Sequence, residues 1–370
     1  MTDQRIEKLA NLLVNYSVEV KPGDKVVLQG TTACEPMLRT LYGKVIQAGG
    51  NPFLLVSVPG TENLLYRYGS NSQLQHVPEP LKLIYDTYDC RIVLLSDVNT
   101  KEFSNVDPAK MVIRSKARTE LMKTMMRRTA AGEFRWVVAP FPTNAYAQDA
   151  DMSMADYEDF VYNSCMPDMN DPIGYWKKID AWQAKIVEWL KGKKSVHVKG
   201  KETDLRLSIE GRKFENCNGK LNMTDGEVFT GTVENSAEGH VYFSYPAIEN
   251  GREVSGIRLW FEKGKCVKAT AEKNQDFLNQ TLDTDAGSRY LGEFAIGTND
   301  GIQKFTREIL FDEKIGGSFH MALGAGYPET GSKNESAIHW DMVCDLRNGG
   351  EIWVDDTLLY KNGKFVIDFK

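Results

Sequence analysis

Ile6, Leu9, Leu12, Leu13 and Tyr16 recur at helical spacing, and the turn residues Pro22, Gly23 and Asp24 close that segment. Short apolar runs follow at 26–28, 53–56, 92–95 and 136–138, separated by helix-length segments such as Glu35–Gln47 and 108–127. Continuous apolar strands alternating with helices predict an α/β domain whose mainly parallel sheet is covered on both faces. The turn after the first strand reads GTTACEP, with one glycine and neither G-x-G-x-x-G nor a Gly-Lys-Ser/Thr. It lacks the backbone that cradles a dinucleotide or nucleotide phosphate.

A break at 166–174 (MPDMNDPIG), rich in Pro, Asp, Asn and Gly, precedes a helix bearing Trp176, Trp182 and Trp189. Trp182 and Trp189 lie seven apart, on one helical face, while Trp176 falls off it; the spacing reads as packing, not as a ligand cage. Beyond Lys194 the pattern changes to alternating or β-branched and aromatic stretches at 196–198, 205–207, 240–243 and 257–261. Tight turns at 262–265 and 361–364 read as hairpins, the second through its Asn-Gly pair. Helices are expected at 274–282 and 302–310. The chain thus divides into an α/β domain, 1–193, and an α+β domain with mixed or antiparallel sheet, 194–370.

Composition narrows the class. The 370 residues are 42% hydrophobic and 26% charged, with a formal net charge of −6, and no apolar run approaches the roughly 20 residues of a membrane helix. Without a long basic run, nucleic-acid binding has no electrostatic support. The opening MTDQRIEKLANLLVNY carries acids early and reads as a helix, not a signal peptide. The six cysteines are scattered, with no C-x-x-C pair, which argues for free thiols and a cytoplasmic setting. The sequons at Asn15, Asn222, Asn279 and Asn334 then carry no glycosylation meaning.

Two of the five histidines fall within one short stretch, His320 in FHMALGAGYPETG and His339 in ESAIHWDMVCDL. Imidazole and carboxylate together suit a catalytic divalent metal. On a strand, His339 and Asp341 project to one face while Ile338, Trp340 and Met342 project to the other. His320 precedes a glycine-rich loop, 324–331, of the kind that sets functional groups against a scaffold. Glu293 sits among Leu291, Phe294, Ala295 and Ile296, where an unpaired carboxylate is costly, so a cation is expected beside it: Arg289, a lysine or a metal. Spacing alone does not select Glu293, or Glu227 in DGEVFTG, from the 51 acidic residues.

The segments GEVFTGTVENSAEG, GREVSGIRLWFEKGK and ATAEKNQDFLNQTLDTDAGSRYLGEFAIGTNDGI resemble the aminopeptidase T/aminopeptidase S family of thermophilic metallopeptidases. So do REILFDEKIGGSFHMALGAGYPETGSKNESAIHWDMVCDLR and, more loosely, the opening ANLLVNYSVEVKPGDKVVLQG. The resemblance implies a pair of divalent metals (zinc, cobalt, manganese or magnesium) held by Glu227, Glu293, His320, His339 and Asp341, with Tyr327 beside them. It further implies a peptide substrate with a free N-terminus and a homodimer. Thr224 stands where the family usually has proline, away from every ligand. Glu329 and Glu335 are near in sequence, and neither is assigned as proton shuttle. The rival reading is a mononuclear non-haem iron ring-cleaving dioxygenase, for which His320, His339 and Asp341 would form the two-histidine, one-carboxylate triad. Glu227 and Glu293 are the discriminators, since a mononuclear triad has no use for them.

Overall fold

The computed structural model describes residues 3–249 and 251–369. They fall into two compact units: the residues up to Tyr175 with Gly219–Thr224, and Trp176–Asn218 with the residues from Asp225 onward. The break at 166–174 therefore marks the change of unit, whereas the shift in composition comes later, at 193/194. The helix Pro172–Leu190 sits mostly with the second unit because Trp182 and Trp189 pack edge-on against Phe365 and Phe369.

In the first unit, β1 (Lys25–Thr31), β2 (Asn51–Ser57), β3 (Cys90–Leu95) and β4 (Arg135–Pro140) form a fully parallel sheet in the order β2-β1-β3-β4. Helices Glu35–Gln47 and Pro108–Ala130 match the helix-length segments of the sequence. Val26, Val27, Leu28, Ile92 and Val137 are wholly buried. Coverage on both faces fails at β2, where Phe53, Leu54 and Val56 are each more than 40% exposed. As the edge strand it has a neighbour on one side only.

The second unit is built of antiparallel strands. An eight-stranded sheet uses β5 (Ser195–Gly200), β6 (Thr203–Ser208), β9 (Glu238–Tyr242), β12 (Arg258–Glu262), β13 (Lys265–Thr270), β17 (Glu351–Val354), β18 (Thr357–Lys361) and β19 (Lys364–Phe365). Their order is β13-β12-β9-β6-β5-β17-β18-β19. A five-stranded sheet uses β7 (Glu215–Cys217), β8 (Glu227–Thr230), β14 (Leu291–Gly297), β15 (Ser318–Gly324) and β16 (His339–Asp345), in the order β16-β15-β14-β8-β7. β10 (Ala247–Glu249) and β11 (Arg252–Val254) make a separate hairpin. The two expected tight turns are present, with Lys263-Gly264 and Asn362-Gly363 all at positive φ, as a type I′ turn requires. One face of the five-stranded sheet, through Val228, Phe294, Phe319, Met321, Trp340 and Met342, joins Val241, Leu259 and Phe261 of the larger sheet in a single hydrophobic core.

The helix Gln275–Leu282 forms as expected, but the one expected at 302–310 does not. Ile302, Thr306 and Leu310 are buried at a spacing of four that imitates a helix, yet the segment is irregular until the short helix Ile309–Asp312. The buried Asp312 carboxylate accepts hydrogen bonds from both the backbone N–H (2.7 Å) and the hydroxyl (2.9 Å) of Thr306. Arg307 then takes φ 66°. A side-chain acceptor competing for the backbone and a left-handed residue both oppose helix continuation.

Candidate metal centre

The opposite face of the five-stranded sheet carries the polar residues. His339 and Asp341 share β16, His320 lies on β15, Glu293 on β14, and Glu227 opens β8. The registers are Gly324↔His339, Ala322↔Asp341, Ala295↔His320, Glu293↔Ala322 and Gly297↔Glu227. With a side-chain period of two, these pairings put all five residues on one face. Each therefore stands opposite a glycine or an alanine on one side, although His320 also pairs with Val343 and Glu227 with Cys217 on the other. A register irregularity between Leu291 and Glu293 re-aims the carboxylate. Glu227 is admitted by Gly226, at φ 116°, where an added Cβ would stand 2.9 Å from Asn299.

His320 Nε2 lies 3.1 Å from Glu227 Oε2 and 3.3 Å from Glu293 Oε1. His339 Nε2 lies 3.5 Å from both Glu293 Oε2 and Asp341 Oδ2. Glu293 thus turns one oxygen toward each histidine. Glu293 takes part in two donor groups, Glu227/Glu293/His320 and Glu293/His339/Asp341, each with its ligand atoms within 4.8 Å of one another; Glu313/His320/Asp341 and Cys217/Asp225/Glu227 meet the same distance. The Nδ1 of His339 is 2.7 Å from the Ala325 carbonyl; a proton donated there leaves Nε2 with a free lone pair, the tautomer that binds metal. Glu227, Glu293 and His320 are 5% exposed or less. The Oδ1 of Asp341 is buried and accepts no hydrogen bond, as expected of an oxygen meant for a cation. The donor set of carboxylate oxygen and imidazole nitrogen fits a divalent metal.

The charges reinforce this. Burial alone would raise all three carboxyl groups. Lys314 and His320 nevertheless hold Glu227 below its ordinary value, and His339 holds Asp341 below its own, whereas Glu293 stays above. Against the opposing effect of burial, Glu227 and Glu293 push the imidazole of His320 well up, and Asp341 and Glu293 push that of His339 up to about 10. Without a metal, protons serve as the counter-charge. Ions arriving here would displace them, so binding would release protons.

A family profile described as thermophilic metalloprotease (M29) matches residues 2–365. The chain belongs to that family. Its M29 relatives include aminopeptidase T of Thermus thermophilus, 24% identical over 97% of this chain and 96% of the relative. Aminopeptidase PepS of Streptococcus thermophilus is 25% identical over 95% and 91%. The solved structure of wild-type AmpT from Thermus thermophilus superposes with a TM-score of 0.84 at 23% identity, over 98% and 99% of the two chains. A 2,5-dihydroxypyridine dioxygenase from Pseudomonas putida KT2440 shares the fold at a TM-score of 0.61 and 14% identity, over 98% and 97%. This M29 chain is a peptidase of a metalloprotease family. No helix among its described residues is long and apolar enough to cross a membrane.

The loop 324–331 of this M29 chain holds Tyr327 over the site, its ring 5.1 Å from that of His339 and 5.4 Å from that of Phe229. The Thr330 hydroxyl donates to the Tyr327 carbonyl at 2.6 Å, and Asn334 Nδ2 donates to the carbonyls of Gly324 and Gly287. Although the residue is 39% exposed, burial around the hydroxyl, and then the nearby Glu293 and Asp341, push its pKa strongly upward and keep it a donor. Arg289, the ordinary alternative partner for Glu293, is engaged elsewhere, with Asp283 at 2.7 Å. Glu329 and Glu335 are exposed and join no candidate ligand group among the described residues.

Three groups escaped the sequence reading. Lys314 is fully buried, in contact with Glu313 and 3.6 Å from Glu227 Oε1. Burial raises Glu313 to about 8. Glu249, on β10, is likewise raised by burial and then by Asp341. The signal for the first two was present: DEK interrupts the otherwise apolar ILF and IGGSF, and a charge triplet amid apolar residues needs partners.

Proposed function

We propose that this chain is an aminopeptidase that removes N-terminal residues from peptides at a centre of two divalent metals in its second unit. The observation that carries the reading is Glu293, which turns one oxygen to each of two donor groups. It would bridge the ions, with Glu227 and His320 completing one site and His339 and Asp341 the other. Divalent metal bound by these residues would supply a water of lowered pKa and polarise the scissile carbonyl. The chain does the rest. The Ala325 carbonyl fixes the ring of His339, Lys314 compensates Glu227 from behind, and the Tyr327 hydroxyl donates to the oxygen that becomes negative during attack. Zinc, cobalt, manganese and magnesium all accept this donor set. The cytoplasmic setting and the homodimer implied by the resemblance remain part of the reading.

The dioxygenase reading is the second candidate, because the fold is shared and His320, His339 and Asp341 are together. Against it stand Glu227 and Glu293, within 3.5 Å of those histidines. Elemental analysis paired with hydrolysis of amino-acid para-nitroanilides decides between them. Two divalent ions per chain and amide cleavage are expected; one iron per chain and no amide cleavage would defeat the aminopeptidase reading.

A further inference from the structure

Glu227 follows a backbone with little stiffness of its own. Gly226, at φ 116°, precedes it, and glycine is the most conformationally permissive residue. Three successive carbonyls of this turn are nevertheless held, all by groups of the second unit. Asn299 Nδ2 donates to the Asp225 carbonyl at 2.8 Å, and the Thr298 N–H donates to that of Gly226 at 2.9 Å. The third donor comes from far along the chain. Gln183, wholly buried on the helix Pro172–Leu190, donates from Nε2 to the Glu227 carbonyl at 2.6 Å. The same Nε2 lies 3.2 Å from the carbonyl of Cys217, the residue that pairs with Glu227 on β7. Two carbonyl acceptors fix which end of the amide faces them, since Oε1 would repel both. That Oε1 is buried without a hydrogen-bond partner among the described residues, which is costly. For packing alone an apolar residue would serve better; what the amide adds is its donor.

We infer that Gln183 is a positioning residue for the metal centre: its amide fixes the backbone at Glu227 and thereby the reach of that carboxylate toward His320 and Glu293. The inference rests on the aminopeptidase reading. Held carbonyls at 226 and 227 fix the peptide planes on both sides of the Glu227 Cα, and hence the direction in which Cβ leaves the strand. Glu227 Oε2 stands 3.1 Å from His320 Nε2, and ligand distances in a metal site tolerate only about 0.2 Å of error. A turn free to rotate about Gly226 would spoil that spacing.

The test uses the full-length protein after chelator treatment, titrated with zinc chloride in a calorimeter. Gln183→Met keeps an unbranched side chain of similar length and removes the donor. It should weaken zinc binding in at least one step by about tenfold or more. Asn216→Ala is the control. Asn216 Nδ2 ties β7 to the same helix through Asp180, at 3.1 Å to its carbonyl and 2.8 Å to its Oδ1, not through Glu227. That variant should lose stability in chemical denaturation yet keep its zinc affinity. In a Glu227→Ala background, Gln183→Met should change zinc binding no further. Wild-type zinc affinity in Gln183→Met, an equal loss in Asn216→Ala, or additive losses with Glu227→Ala overturns the inference. Gln183→Asn, one methylene short of the carbonyls, replaces the methionine variant if that does not fold, and is held to the same outcomes. If the wild type binds neither zinc nor cobalt, the aminopeptidase reading fails instead, and crystal structures judge Gln183. The Glu227 carboxylate must then move in the variant; an unmoved carboxylate overturns the inference.

Discussion

Lys314→Met would remove a fully buried cation while keeping an unbranched side chain of similar length. At 3.6 Å from Glu227 Oε1, its attraction is worth about 5 kcal/mol for an effective dielectric constant of ~20. Some of this offsets the desolvation of Lys314 itself, and experience with broken buried pairs gives a net loss of roughly 3–5 kcal/mol. Typical domains have only about 5–15 kcal/mol of stability in all, so the metal-free variant should unfold at much lower denaturant. Bound divalent ions would compensate Glu227 in place of the lysine, and the loss should then shrink. Chemical denaturation of chelator-treated and metal-loaded protein, wild type against Lys314→Met, measures both. Tryptophan fluorescence is a suitable probe, because of the seven tryptophans only Trp136 lies in the first unit. Equal losses with and without metal would refute the electrostatic account and leave Lys314 a packing residue. So would no loss in the metal-free form.

Tyr327→Phe should lower kcat by about 10²–10³, the usual effect of losing one donor to a developing oxyanion, with metal content unchanged by elemental analysis. Glu293→Gln should cost both metal equivalents, whereas Asp341→Asn should cost one; equal stoichiometry in the two variants would remove the bridging role. Asp285 gives a pH signature from a carboxylate that joins no candidate ligand group. Burial opposes its ionisation, but the Ala337 N–H and the hydroxyls of Ser336 and Ser288 draw its pKa down to about 2. A depressed folded pKa means its contribution is complete above about 4 and disappears as pH falls toward 2. Asp285→Asn should therefore flatten acid unfolding in that window and speed amide exchange at Ala337, just before β16.

What the sequence disclosed follows period and turn chemistry. The strands 92–95 and 136–138, the helix Glu35–Gln47 and both type I′ turns depend on neighbours close in the chain, and they are where expected. His339 and Asp341 were legible for the same reason, two apart on one strand. Glu227 and Glu293 were reached only through resemblance, because what unites them with His320 is strand register across β8, β14 and β15, which no local pattern encodes. The segment 302–310 shows the reverse failure. Its buried residues keep helical spacing, but the Asp312 carboxylate and the φ of Arg307 impose another backbone.

The same sheet explains why stability and chemistry need not compete here. β14 and β15 are buried along their whole length on both faces, which ordinarily selects continuous apolar sequence. One face follows that rule with Phe294, Phe319 and Met321 and belongs to the hydrophobic core. The other departs from it through Glu293 and His320, and tolerates the departure because the residues across the ladder, Ala322, Ala295, Gly297 and Gly324, are small. A side chain at Gly297 or Gly324 would meet backbone, the carbonyl oxygens of Ile315 and Ile338 at 2.3 and 2.2 Å, so these two positions are closed to any larger residue. Donor geometry is thus set by residues that bear no functional group, held in place by a core on the far side of the strand.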